Sequence, residues 1–182
     1  LKQHPVLLEA LARQVRRSAG AASARQAIDD WGSVLTDRQL LAEVVAEVAP
    51  GSFAAAEIDR SCDWGRARYE EILAVLAGDG DSEAALDPQD EALLLRAHQL
   101  RVGPLRGAKG RALRYRHIAI DEVQDFSPLE VRVLFDCLDE RRSMTLAGDT
   151  QQHVLQDAGF TSWDDFFTHL GLEGTTVDTL RV

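Results

Sequence analysis

The 182-residue chain is 45% hydrophobic and carries 30 acidic against 20 basic side chains, for a net charge of −10. This suits one ordinary domain or a domain with an extra lobe, and it excludes a fibrous or wholly disordered chain. No run approaches the ~18 apolar residues of a membrane span and no signal-peptide pattern is present, which excludes a helical membrane anchor as the reading of these residues.

The charge is unevenly spread. Residues 1–95 hold 9 basic and 17 acidic side chains, residues 96–116 hold 7 basic and no acidic ones, and residues 117–182 hold 4 basic and 13 acidic. The basic block suits either a phosphate backbone or a solvated linker that offsets the surrounding carboxylates. Cys62 and Cys137 have no metal-like spacing, so two buried thiols in an intracellular, cytoplasmic setting are expected. The chain starts at Leu1 and ends at Leu180-Arg181-Val182, and an excised piece of something longer is expected.

Residues 5–17 predict a helix with Leu7, Leu8, Leu11 and Val15 on one side, Pro5 being tolerable in its first turn. SAGAASA at 18–24 reads as a loop or a weakly packed helix, and Trp31 as a core anchor. Thr36, with Gln39 three residues on, predicts a capped helix with Leu40, Leu41, Val44, Val45 and Val48 as its apolar stripe, stopped by Pro50-Gly51. Asp63 is expected to cap the next helix, with Tyr69, Ile72, Leu73 and Leu76 inward and Gly78 beyond its end. Residues 78–87 read as a hydrophilic turn whose spacing does not match a calcium loop. Asp87-Pro88 starts a further helix toward Leu100. Residues 1–100 therefore predict a mostly helical region, in which His4 and His98 lack metal-like spacing.

Residues 101–116 read as a basic connector. Its segment GPLRGAKG does not make a phosphate-binding loop: Ala108 precedes Lys109 and Gly110 follows it, where a Gly and a Ser or Thr are needed. From 117 onward the pattern becomes β-α-β. A strand at 117–121 is followed by Ser127-Pro128-Leu129-Glu130, which combines a cap, a first-turn proline and the reciprocal Glu. A second strand at 143–147 ends at Gly148-Asp149. A helix capped by Ser162 has Phe166, Phe167 and Leu170 inward, and a third short strand is expected at 176–180. Strands separated by helices predict a parallel sheet, with Asp121, Glu122 and Asp149 along one edge. In such sheets ligands sit at the C-terminal strand ends. An adjacent Asp-Glu there suits a magnesium-nucleotide site, in which the Asp holds the hard cation and the Glu orients water.

IAIDEVQD, followed after about twenty residues by LAGDTQQ, resembles motifs II and III of superfamily 1 DNA helicases of the UvrD/Rep-like group, nearest the helicase IV and HelD-type branch. The motif likeness covers about 115–182. It implies a partial RecA-like P-loop NTPase sheet in 117–182, behind a helical accessory region at 1–100. It implies ATP and Mg²⁺ as cofactors. Asp121 is similar to the metal-holding Asp and Glu122 to the general base. Gln124 and Asp125 resemble residues linking the nucleotide site to its neighbours. Gly148 and Asp149 correspond to the start of motif III, and Gln152 to the glutamine that approaches the γ-phosphate. His153-Val154-Leu155 depart from the family's Ser-Ile-Tyr, leaving Phe160 and Trp163 as candidate base-stacking aromatics or core residues.

The function implied is ATP-driven movement on single-stranded or partly duplex DNA. The alternatives are a HelD-type ATPase that remodels RNA polymerase and a non-enzymatic module with a relict site. Because the phosphate-binding loop and the second motor domain are not in these residues, the segment alone is expected to hydrolyse ATP negligibly.

Overall fold

The computed structural model describes residues 1, 4–78, 88–149 and 162–178. Among them are seven helices and one two-stranded parallel sheet, a mixed α/β chain that is mainly helical.

The first five helices are α1 (Val6–Arg17), α2 (Ala24–Thr36), α3 (Arg38–Val48), α4 (Ala55–Ala77) and α5 (Pro88–Arg101). They share one core containing Leu7, Leu11, Trp31, Val34, Leu40 and Leu93, so Trp31 is the anchor its bulk suggests. The small-residue stretch before it is a loop over 18–23, the first of its two readings. Ser23 Oγ accepts from Gln26 N–H and opens α2, which ends at Thr36. The cap expected at Thr36 falls one residue later, because Asp37 Oδ1 accepts from Leu40 N–H (2.9 Å). Thr36 Oγ1 instead donates back to Gly32 C=O (2.9 Å). A start at Asp63 is also corrected. The helix is already under way from Ala55, where Glu57 Oε2 accepts from Ala54 N–H (2.8 Å), and Asp63 is an exposed interior position. Gly78, at φ +81°, ends α4 in the left-handed conformation that glycine adopts without strain. Leu76 and Val48, expected inward, are exposed.

Arg101, at the end of α5, closes this bundle. Its Nε donates to Asp30 Oδ2 (2.7 Å), Nη1 to the carbonyls of Ser18 and Gly20, and Nη2 to Val15 C=O and Ser18 Oγ. The Asp30 side chain is fully buried, with further hydrogen bonds from Ser18 Oγ and Gln14 Nε2. One guanidinium thus satisfies both a buried carboxylate and the free carbonyls after α1.

The basic connector expected at 101–116 is divided: Arg101 ends α5, residues 102–114 form a closed hairpin, and Tyr115 and Arg116 open a strand. Leu113 N–H donates to Leu105 C=O (2.7 Å), Gly107 N–H to Arg111 C=O (3.0 Å), and a single antiparallel bridge joins Arg106 and Ala112. Next come β1 (Tyr115–Ile120), α6 (Pro128–Phe135), β2 (Leu138–Leu146) and α7 (Trp163–Leu170). The capping box at Ser127 and Glu130 forms as its spacing predicts. β1 and β2 pair in parallel, with His117 opposite Ser143 and Ile120 opposite Leu146; a bulge on β2 absorbs the extra residues after Leu138. Ile120, Val123, Val131, Phe166, Phe167 and Leu170 form a second core beneath one face of this sheet. Trp163 stacks on Phe167 (5.6 Å between ring centroids) at the edge of that core. Cys62 and Cys137 are buried free thiols.

Among the described residues only β1 and β2 form the sheet. The third strand expected at 176–180 is not formed over 176–178, where no strand-ladder partner is present, and its last two residues lie outside the described set. The turn at 79–87, Gln152 and Phe160 also lie outside it. No helix among the described residues is long and apolar enough to cross a membrane.

Two outcomes follow from the bundle. Arg101→Ala strands the Asp30 carboxylate and lowers stability by about 3–5 kcal/mol in urea unfolding, and Arg101→Lys recovers only part of this because it lacks the fork of donors. His4 packs edge-on to Phe53, and burial, then His169, push its pKa down to about 4. Its folded value lies below the unfolded one, so the unfolded chain binds more protons between them, and stability falls as pH drops from about 6.5 toward about 4. Melting temperature therefore falls more steeply over that window in the natural chain than in His4→Gln.

Candidate functional site

The strand ends are held together by one amide. β1 stops at Ile120, and the chain makes a single 3-10 turn over Val123–Asp125. Val123 N–H donates to Ala147 C=O and Ala147 N–H donates to Ile120 C=O, both at 2.9 Å, so the turn is stitched onto the end of β2. Gln124 is buried between the two strand ends. Its Nε2 donates to Glu122 Oε2 (2.6 Å), and its Oε1 accepts from Asp149 N–H (3.1 Å). The side chain thereby joins the acidic turn after β1 to the acidic turn after β2.

Gly148 makes this possible by having no side chain. A Cβ there would lie 2.5 Å from Gln124 Oε1 and 2.9 Å from Val123 Cγ1. The glycine of the GD pair is therefore a steric requirement of the amide bridge. Sequence reading assigned Gly148 to a motif without this role; a Gly directly before the second acidic strand end was its one visible trace.

Glu122 adopts φ +50°, ψ +44°, a left-handed backbone that non-glycine residues visit rarely. It is held there by Asp121 Oδ1, which accepts from Glu122 N–H (3.0 Å), by Gln124, and by Asp125 N–H, which donates to Glu122 C=O (2.9 Å). An outlier fixed from several sides is a recurrent feature of functional turns. Asp121, Glu122, Asp125 and Asp149 are all exposed. Of the residues singled out from the sequence, Asp121, Glu122, Gln124, Gly148 and Asp149 thus meet at one edge of the sheet. Asp125 is on the same turn with its side chain outward, and Gln152 lies outside the described residues.

The donor set bears on a cation as follows. One Asp121 oxygen accepts from Glu122 N–H, and the residue is exposed. Among the described residues no three His, Cys, Asp or Glu side chains converge as a metal-binding group. This fits Mg²⁺ held by one or two carboxylates and completed by phosphate oxygens and water, and it does not fit a cation enclosed by protein ligands alone.

A cleft of about 560 Å³ lies at the opposite end of the strands, lined by Arg114, Arg132, Phe135, Asp136 and Leu138 among others, and none of the acidic turn residues borders it. Arg132 donates to Leu170 C=O (2.7 Å) and stands over the Phe135 ring; burial lowers its pKa, and Asp136 opposes that shift. These contacts tie α6 to α7 and belong to the packing of the second core.

No protein-family model, curated protein or solved structure matches this chain. The reading of the site rests on its own residues.

Gly148→Ala is expected to lower stability by about 1–3 kcal/mol, through overpacking against Gln124 and Val123. Combined with Gln124→Ala, which removes the colliding amide, it should cost less than the two single changes together by at least about 0.5 kcal/mol. Urea unfolding of the four-member cycle measures this, and strict additivity would mean the glycine and the amide are independent.

Proposed function

We propose that these residues carry the catalytic-carboxylate half of an ATP site in a superfamily 1 helicase or translocase, with a partial RecA-like sheet as its frame. The observation that supports this most is the bridge from Glu122 through Gln124 to Asp149. It joins a DEVQD strand end to a GDTQQ strand end, the two motifs whose likeness to that group suggested the reading. A coupling of two strand ends by a buried amide suits a site in which the state of one ligand must be felt on both strands.

In this reading Asp121 holds the cation and Glu122 takes a proton from the attacking water. Mg²⁺, when bound, offsets charge on the transferred phosphate. Gln124 holds the exposed Glu122 carboxylate through its Oε2, and Asp125 and Asp149 set the polar rim of the turn. Gln152 is assigned by its sequence likeness alone. These 182 residues contain no Gly-Lys-Ser/Thr phosphate loop. We therefore place the phosphate-holding half on another segment, and single-stranded or partly duplex DNA is the track along which ATP turnover drives movement.

The test uses a native polypeptide that joins this segment to such a loop. Glu122→Gln should lower ATP turnover by at least about 100-fold while ATP binding is kept. The 182-residue chain alone should hydrolyse ATP negligibly. Unchanged turnover in Glu122→Gln, or turnover by the short chain that this substitution abolishes, would refute the division of the site.

A further inference from the structure

We propose that the hairpin at 102–114, with the first residues of β1, is a binding surface for the phosphate backbone of a single-stranded nucleic acid. The observation behind it is a contrast in how this chain treats its cations. Of the ten arginines up to Arg101, nine are ion-paired to a carboxylate among the described residues, Arg60 being the exception there. Over residues 102–116 the pattern stops. Arg106, Lys109, Arg111, Arg114 and Arg116 are all exposed, and none makes an ion pair with a described residue. No acidic residue occurs between Glu91 and Asp121. Carboxylates are abundant in a chain of net charge −10, and Asp136, Asp139 and Glu140 line a cleft together with Arg114, yet among the described residues none of them pairs with a hairpin cation. Exposed cations left without a carboxylate partner concentrate positive potential where a polyanion can meet it.

The cations are carried on a fixed frame. Gly110, at φ +71°, turns the tip, its N–H donates to Gly107 C=O (2.8 Å), and Arg106 Nη1 donates to Gly110 C=O (2.8 Å). Arg114 Nη1 donates to the backbone C=O of Asp136 (3.0 Å), while the Asp136 carboxylate is occupied by Arg96 and Arg132. A frame ordered before binding loses less conformational entropy when a ligand arrives.

A single strand is favoured over a duplex by Tyr115, which is 49% exposed at the start of β1, directly after the hairpin. An exposed aromatic ring next in the chain to a cationic hairpin offers a stacking platform to an unpaired base, which a base inside a duplex cannot use. It also favours nucleic acid over an acidic protein segment, which has no bases to stack.

This surface lies at the start of β1 and the acidic turn at its end, roughly 20 Å away at ~3.3 Å per residue. The inference rests on the hairpin and not on Asp121 or Glu122. ATP turnover in Glu122→Gln therefore bears only on the function proposed above, and oligonucleotide binding only on this surface.

The experiment is fluorescence anisotropy of a labelled oligothymidylate with the 182-residue chain across a sodium chloride series. Affinity should fall with salt at a log–log slope of about −2 to −3.5, for roughly three to five phosphate contacts at about 0.7 each. Lys109→Glu with Arg111→Glu should weaken binding by about tenfold or more and make the slope shallower. Arg60→Glu with Arg66→Glu makes the same change of net charge on α4 and should alter affinity by less than about twofold. Tyr115→Ala should weaken binding several-fold with the slope unchanged. Circular dichroism confirms folding of each variant, and the milder Lys109→Gln with Arg111→Gln should show a smaller loss in the same direction. Absence of binding at low salt, equal loss in the two charge-reversed pairs, or equal affinity for duplex DNA or polyglutamate would overturn the proposal.

Discussion

The ion pair between Arg101 and Asp30 determines how the two halves of the chain sit together. Burying a carboxylate away from water is costly unless it is neutralised and hydrogen-bonded. Arg101 does both for Asp30 and uses its remaining donors on Val15 C=O in the last turn of α1 and on the backbone that follows it. The end of α5 is thereby fixed against α1 and α2. From that same helix Gln99 Nε2 donates to Val133 C=O (2.9 Å), and Arg96 pairs with Asp136. Both partners lie in or just after α6, the helix that connects β1 to β2. The sheet therefore inherits its position from a polar contact deep in the bundle, and Leu129 of α6 is packed into the bundle's core.

Parallel strands are usually covered on both faces. Here Ile118, Ile120, Met144 and Leu146 face α6 and α7, while Tyr115, His117, Ala119, Ser143 and Thr145 are exposed on the other side. Packing from one side leaves the strand ends with little apolar support. Rigidity there comes from hydrogen bonds: the backbone stitch between Val123, Ala147 and Ile120, and the Gln124 amide between Glu122 and Asp149. The acidic turn is thus an ordered constellation and not a solvated strand end.

Charge is divided along the strands in the same way. Carboxylates gather after Ile120 and Leu146, with Asp139 and Glu140 at the start of β2, and cations that make no ion pair among the described residues gather before Tyr115. The turns beyond Ile120 and Leu146 therefore draw cations, while the hairpin cations are available to a polyanion.

Much of this was legible in the chain itself. Ser127, Pro128 and Glu130 specify the start of α6, the periodicities of 117–121 and 143–147 specify strands, and an intervening helix makes their pairing parallel, because all of these are local patterns. Caps at Thr36 and Asp63 were misplaced, since Asp37 and Glu57 offer competing acceptors within a few residues and only the packed helices select between them. The acidic residues of the site were identifiable from composition at strand ends, but the closeness that Gly148 allows to Gln124 was not, because it depends on a contact across 24 positions of sequence. The hairpin's cations were visible as a count. That they lack carboxylate partners among the described residues was decided by tertiary structure, since ion pairing depends on which distant groups are brought within reach. Local hydrogen bonding and periodicity are written in neighbouring residues; the burial of Asp30, the amide bridge and the exposed cationic surface arise only when segments far apart in the chain meet.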